Sequence, residues 1–96
     1  MYAVIFKATI DTYDQEYDVT SKTLRQLAFD KYKCKDFCAV SEGNEEITIS
    51  YWDSLDDIKA WRTDPIHQKA QDLAKQSWYK SYTVEVVEIV KKYSNG

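Results

Sequence analysis

The stretch Glu46-Ile47-Thr48-Ile49-Ser50-Tyr51-Trp52, continuing through Asp53-Ser54-Leu55-Asp56-Asp57-Ile58-Lys59-Ala60-Trp61-Arg62, decides the fold. Its first half has the period-two pattern of a strand, with Ile47, Ile49 and Tyr51 on one face and Thr48, Ser50 and Trp52 on the other. Its second half changes to helical spacing. Ser54 followed by Asp57 resembles a capping box with Asp in place of Glu, and Leu55, Ile58 and Trp61 then share a face. That helix is predicted to end near Thr63. Asp64-Pro65 combines an N-cap residue with proline at the first helical position, so a further helix starts there, with Ile66, Ala70, Leu73, Ala74 and Ser77 or Trp78 as its apolar stripe. A strand running directly into two short helices is the turning point of an α+β domain.

Working outward, Tyr2-Ala3-Val4-Ile5-Phe6-Lys7-Ala8-Thr9-Ile10 is β-rich and apolar on both faces until Lys7, as a central strand requires. Asp14 is placed to cap a helix in which Tyr17, Thr20, Leu24, Leu27 and Ala28, with Lys31 at the margin, form one stripe, and Lys22, Arg25 and Gln26 fall on the other face. Phe37-Cys38-Ala39-Val40 reads as a short strand, and Glu42-Gly43-Asn44-Glu45 supplies hairpin turn chemistry before the third strand. The last strand is predicted from Lys80 to about Tyr93, burying Tyr82, Val84 and Val86 and then switching phase to Val87 and Ile89, as a bulge or a strand serving two environments would. The order is that of a ferredoxin-like antiparallel sheet with helices on one face. Nothing remains to cover the other face, so the sequence predicts a homodimer, its long last strand reaching the second subunit.

The 96 residues leave room for a single domain, 1–96. From surface scaling, the unfolded chain exposes about 16,000 Å² and a folded monomer about 5,700 Å². With 44% apolar and 30% charged residues the composition is that of a globular domain. The 15% aromatic content exceeds what so small a core needs, which favours a ligand pocket or an interface. A net charge of −3, from 13 basic and 16 acidic residues that are scattered along the chain, argues against nucleic-acid binding. No run is long and apolar enough to span a membrane or to form a signal-peptide core, so no membrane association and a cytoplasmic location are expected. Cys34 and Cys38, expected near a strand and separated along it by roughly 13 Å, read as reduced thiols. With a single distant His they do not make a zinc site.

The segment Ile47 to Arg62, with Asp64-Pro65, His67 and Gln71, resembles the antibiotic biosynthesis monooxygenase family, as do Tyr2 to Phe6 and Trp78-Tyr79-Lys80-Ser81-Tyr82 leading into Val84-Glu85-Val86. Together these residues span most of the chain. The resemblance implies a dimeric α/β barrel, two ferredoxin-like protomers joined sheet to sheet, each with a cavity between its sheet and helices. Two departures bear on activity. Similar sequences usually carry Pro-Gly-Phe before the second strand, where this chain has Lys31-Tyr32-Lys33-Cys34-Lys35-Asp36-Phe37. Haem-degrading relatives are known for an Asn on the first strand, a Trp on the short helix and a His iron ligand on the next; here Trp61 matches the Trp, but the first strand has no Asn and Gln71 stands where the ligand would be. An amide oxygen is a poor substitute for imidazole on haem iron, so haem degradation is disfavoured and no cofactor or metal is expected.

The resemblance then implies cofactor-independent oxygenation of a small electron-rich aromatic or polyketide-like substrate. Such a substrate, once deprotonated, passes an electron to oxygen itself, and the protein needs a dry cavity, a base and donors for the developing oxyanion. His67, whose ordinary pKa lies near neutrality, is the base candidate; Trp61 is a stacking wall, Tyr51 and Tyr79 are phenolic donors, and Arg62 is a clamp for an acidic group. Each also has a structural reading: His67 at the surface near Asp64, Trp61 and Trp52 as core or interface anchors, Tyr79 as a dimer-contact ring, and Arg62 as a solvated charge. Asp56 and Asp57 suit the helix N-terminus better than a metal. The alternative function is a non-catalytic small-molecule-binding dimer of the same fold.

Overall fold

The computed structural model describes residues 1–12 and 14–96. Its elements are β1 (Tyr2–Ile10), α1 (Gln15–Tyr32), β2 (Asp36–Glu42), β3 (Glu45–Trp52), α2 (Leu55–Arg62), α3 (Pro65–Leu73), a π-helical turn (Ala74–Trp78) and β4 (Tyr79–Glu88). Helix starts follow the capping chemistry. The carboxylate of Asp14 accepts from the Tyr17 amide at 2.7 Å, the Ser54 hydroxyl from the Asp57 amide at 3.0 Å, and the Asp64 carboxylate from the Ile66 amide at 2.8 Å. Helix α1 ends where Lys33 turns left-handed at φ 65° and the Cys34 amide reaches back to the Ala28 carbonyl at 3.0 Å. Cys34 is buried in this exit and Cys38 lies exposed on β2; both are free thiols.

The four strands form one antiparallel sheet in the order β2-β3-β1-β4, the ferredoxin-like arrangement, with all three α-helices on one face. Register assigns every side chain to a face. Val4 lies opposite Ser50 and Val86, and Phe6 opposite Thr48 and Val84, so the even positions of β1 and β3 look toward the helices. The core sits at one end of that face, where Val4, Ala28, Cys34, Trp52, Ile58 and Trp61 pack together. Trp52 is fully buried, and its indole N–H donates to the buried Ser50 hydroxyl at 2.8 Å, so the pair satisfies itself. The odd positions make the helix-free face, with Ile5 opposite Ile49, Ala3 between Tyr51 and Val87, and Cys38 and Val40 alongside on β2.

The last strand differs from expectation. It stops at Glu88, and Val90 and Tyr93 beyond it are 89% and 85% exposed. The register is continuous from Ser81 to Glu88, and the irregularity lies at Lys80, between Thr9 and Ile10 of the partner strand. Val86 and Val87 therefore face opposite sides of one regular ladder, and no bulge is needed between them. Helix α3 is rotated by about one residue from the predicted stripe: His67, Ala70, Ala74 and Trp78 are buried, whereas Ile66 is 47% exposed. The surface of 6669 Å² is larger than scaling predicts for this mass, in keeping with an uncovered sheet face and an open hollow. Among the described residues no helix is long and apolar enough to cross a membrane.

Candidate functional site

Beyond the core, the helices lift from the sheet and enclose a cavity of about 400 Å³, within the range of small-molecule sites. Its floor is the helix-side face of the sheet, including Phe6, Phe37, Thr48, Glu46 and Tyr82; its roof comes from α1, α2 and α3 and includes Tyr17, Leu24, Trp61, His67 and Gln71. Trp78 and Tyr79 close one end. The walls are largely aromatic. Phe6 lies 5.4 Å from Tyr79 and 5.9 Å from Tyr82 between ring centroids, and Tyr17 meets Trp78 edge-on at 5.3 Å.

Of the residues singled out in the sequence, Trp61, Arg62, His67 and Tyr79 all line this cavity. Tyr51 does not, because the alternation of β3 turns it to the helix-free face opposite Ala3. Trp61 anchors the site to the core. Its ring packs on Trp52 at 5.1 Å, and its indole N–H donates to the Leu24 carbonyl of α1 at 3.2 Å. His67 stands edge-on to Trp61 at 4.5 Å and is buried at 9% exposure, so it is not a surface residue beside its helix cap. Its Nδ1 has no hydrogen-bond partner among the described residues. Burial, with a further push from the nearby Arg62 guanidinium, lowers its pKa from 6.5 to about 4, and the imidazole is neutral at physiological pH.

Asp64, the cap of α3, is tied to α1 instead of to Arg62. It accepts a hydrogen bond from the Tyr32 hydroxyl and pairs with Lys31 at 3.5 Å. The Tyr32 bond first, and the Ile66 amide second, hold its carboxyl below the usual range. This contact fastens the end of α1 to the start of α3 and fixes the His67 side of the cavity roof.

The sequence reading missed the cavity's acidic end. Glu46, on β3 opposite Ala8 and Ser41, accepts a hydrogen bond from the Tyr17 hydroxyl, and burial raises its carboxyl above the ordinary value. The signal was present in the alternation, since Glu46 shares the parity of Thr48, Ser50 and Trp52. Arg25 was also missed; it lines the rim, donating to the Phe37 carbonyl at 3.2 Å with its guanidinium 5.1 Å from the Phe37 ring centroid. The donor set does not fit haem. Gln71 offers an amide, and the one imidazole is buried edge-on against Trp61. Among the described residues no group of His, Cys, Asp and Glu is placed to hold a metal ion.

Comparison with known proteins agrees with this architecture. The chain superposes on SnoaB, a cofactor-independent oxygenase from Streptomyces nogalater, with a TM-score of 0.81 over 98% of this chain and 97% of that one, at 8% identity. A putative antibiotic biosynthesis monooxygenase from Nitrosomonas europaea gives 0.77 over 95% and 100% at 10% identity, and one from Deinococcus radiodurans 0.72 over 100% and 99% at 12%. The fold is that of the antibiotic biosynthesis monooxygenases, as the resemblance in sequence implied. No protein-family model matches the chain. At the level of sequence it belongs to the family of the uncharacterized protein YqjZ of Bacillus subtilis, to which it is 37% identical over 89 residues, 92% of this chain and 78% of that protein.

Proposed function

We propose that the protein is a cofactor-independent monooxygenase of a small, electron-rich aromatic or polyketide-like substrate. The observation that carries this reading is the aromatic-walled cavity lined by a largely buried, neutral imidazole. In this reading the substrate's rings lie against Trp61, and the His67 imidazole takes up a proton from an acidic ring methylene conjugated to a phenol or ketone. The resulting carbanion reduces dioxygen directly. The balance closes without another reductant: the methylene carbon gives up two hydrogens and four electrons, keeps one oxygen atom as a carbonyl, and the second atom leaves as water. Tyr79 hydrogen-bonds the developing oxyanion and Arg62 holds an acidic substituent, while Tyr51 takes no part. The low basicity of His67 restricts the reaction to substrates whose methylene is already acidic.

The functional unit we propose is a homodimer in which a second copy covers Ile5, Ile47, Ile49 and Tyr51, a partly exposed apolar strip on the helix-free face. Oxygen consumption with a panel of ring-hydroxylated aromatics bearing such a methylene tests the activity, with labelled dioxygen placing one labelled atom in the product. His67→Gln is expected to slow turnover by about 10²–10⁴-fold. Uptake no faster than in protein-free controls across the panel rejects the assignment. A second reading, a dimer that binds the same ligands without turnover, draws on the same depressed basicity of His67. A ligand-induced rise in melting temperature without oxygen consumption selects it.

A further inference from the structure

The cavity carries opposite charge at separated places, which bears on its ligand's chemistry, provided that this cavity is the binding site. Trp61 donates to the Leu24 carbonyl, and the next residues along each helix are Arg62 and Arg25, both of which line the cavity. Neither guanidinium forms an ion pair among the described residues, whose salt bridges are Lys22 with Asp18, Lys31 with Asp64 and Lys35 with Asp53. The Asp18 carboxylate on the same lining is taken by Lys22 at 3.2 Å, so the half-buried Arg62, with no carboxylate partner among the described residues, is a charge awaiting an anion. The acidic end lies elsewhere. The Arg25 guanidinium sits at Phe37, whereas Glu46 pairs with Ser41, four residues further along β2, or roughly 13 Å by strand rise. Glu46 receives the Tyr17 hydroxyl on Oε2, and Oε1 has no partner among the described residues.

The geometry points to a ring-hydroxylated aromatic carboxylate as the ligand class, its carboxylate on Arg25 and Arg62, its rings between Phe6 and Trp61, and its distal hydroxyl donating to Glu46 Oε1. Hydrogen bonds of about 2.8 Å at the two ends leave roughly 7–8 Å for the ligand itself, the span of a two-ring core substituted at opposite ends. A single ring falls short of one end. An uncharged polycycle leaves the guanidinium groups unanswered.

The test is a binding experiment without oxygen, using hydroxynaphthoate with its two substituents at opposite ends of the ring pair, naphthoate without the hydroxyl, and naphthol without the carboxylate. Quenching of tryptophan fluorescence reports occupancy because Trp61 and Trp78 line the cavity. Hydroxynaphthoate is expected to bind at least about ten-fold more tightly than either truncated compound. Arg25→Gln with Arg62→Gln is expected to abolish the advantage of hydroxynaphthoate over naphthol. Glu46→Leu, which removes the acceptor, is expected to abolish its advantage over naphthoate. Equal affinities of the wild-type protein for the three compounds, or no binding of any, overturn the inference without reference to a variant's folding. Carboxylate-dependent binding without oxygen uptake on any substrate rejects the oxygenase and keeps this ligand class; uptake with uncharged substrates and no carboxylate preference does the reverse.

Discussion

Replacing His67 with Leu is expected to remove a specific pH dependence from the stability of the fold. In the native protein, burial among Trp61 and the α3 roof and the charge of Arg62 lower the imidazole from 6.5 to about 4, while Asp64, the other charged group near it, acts weakly in the opposite direction. The sign follows from which state binds the proton first. As pH falls, the unfolded chain protonates this imidazole near its ordinary value while the folded chain refuses the proton, so stability is unaffected well above 6.5 and is lost through the window from about 6.5 to about 4. By linkage at 1.36 kcal/mol per pH unit the loss reaches about 2 kcal/mol by about pH 5 and about 3 kcal/mol by about pH 4, with a limit of about 3.4 kcal/mol below that. Carboxylates titrate in the same range, Glu46 with the opposite sign because its folded pKa is raised, but they are common to both proteins. The quantity to measure is the difference in unfolding free energy between wild type and His67→Leu, from urea titrations at steps between about pH 7 and pH 5. The wild type is expected to lose about 2 kcal/mol relative to the variant, a relative midpoint shift on the order of 1–2 M urea. A difference constant to within about 0.5 kcal/mol across that range would refute the placement of His67 as a buried, neutral group.

Further outcomes follow from particular contacts. Trp61→Phe removes the indole N–H that reaches the Leu24 carbonyl and part of the contact with Trp52, and is expected to cost about 1–3 kcal/mol in chemical denaturation, with weaker fluorescence quenching by any cavity ligand. Lys33→Gly relieves a left-handed residue at φ 65° and should raise stability by about 1 kcal/mol, whereas Gly43→Ala, at φ 59° in the β2-β3 turn with nothing near its added Cβ, should lower it by a similar amount. Ile49→Lys places a charge in the middle of the helix-free face, and sedimentation is expected to show a particle of half the wild-type mass with the cavity's ligand affinity reduced by less than about three-fold. Tyr32→Phe breaks the hydrogen bond to Asp64 and should lower the melting temperature, and calorimetry that shows no change would remove the fastening of α1 to α3.

The part of the fold that local chemistry dictates was legible residue by residue. The alternation of β3 sorts Ile49 from Ser50 before any partner strand is known, and Ser54 and Asp64 announce the two helix starts that the backbone amides of Asp57 and Ile66 then use. Trp61, Arg62 and His67 stood out because they lie beside the Asp64 cap, and Tyr79 because it leads into the last strand; all four line the cavity. What escaped depended on relations between elements. The rotation of α3 that buries His67 and exposes Ile66 is set by Trp61, a residue on another helix, and no single-helix pattern encodes it. Glu46 looks like a turn-flanking surface acid until Tyr17, twenty-nine residues away, is seen to donate to it. The tail after Glu88 has strand composition, but after the Ile89 amide donates to the Met1 carbonyl at 3.0 Å no further strand pairing is found among the described residues.

The acidic end of the cavity depends on two departures from regular backbone that lie next to each other in the chain. In the π turn Ala74–Trp78 the Tyr79 amide bonds to the Ala74 carbonyl, one residue further back than an α-helix allows, and Trp78 is buried edge-on against Tyr17. Immediately afterwards β4 carries its extra residue at Lys80. Counting back from Tyr82 in strict alternation, Lys80 would face the helices opposite Ile10; the irregularity places Tyr79 there instead. An aromatic ring thus occupies the position where an ammonium group would stand, 6.0 Å from Tyr17, whose hydroxyl bonds Glu46. A lysine pointing inward there would stand close enough to compete for Glu46, the half-buried carboxylate of the cavity floor. Each irregularity interrupts backbone regularity, and together they leave Glu46 with a phenol as its partner and the cavity with an acceptor that a ligand hydroxyl can reach.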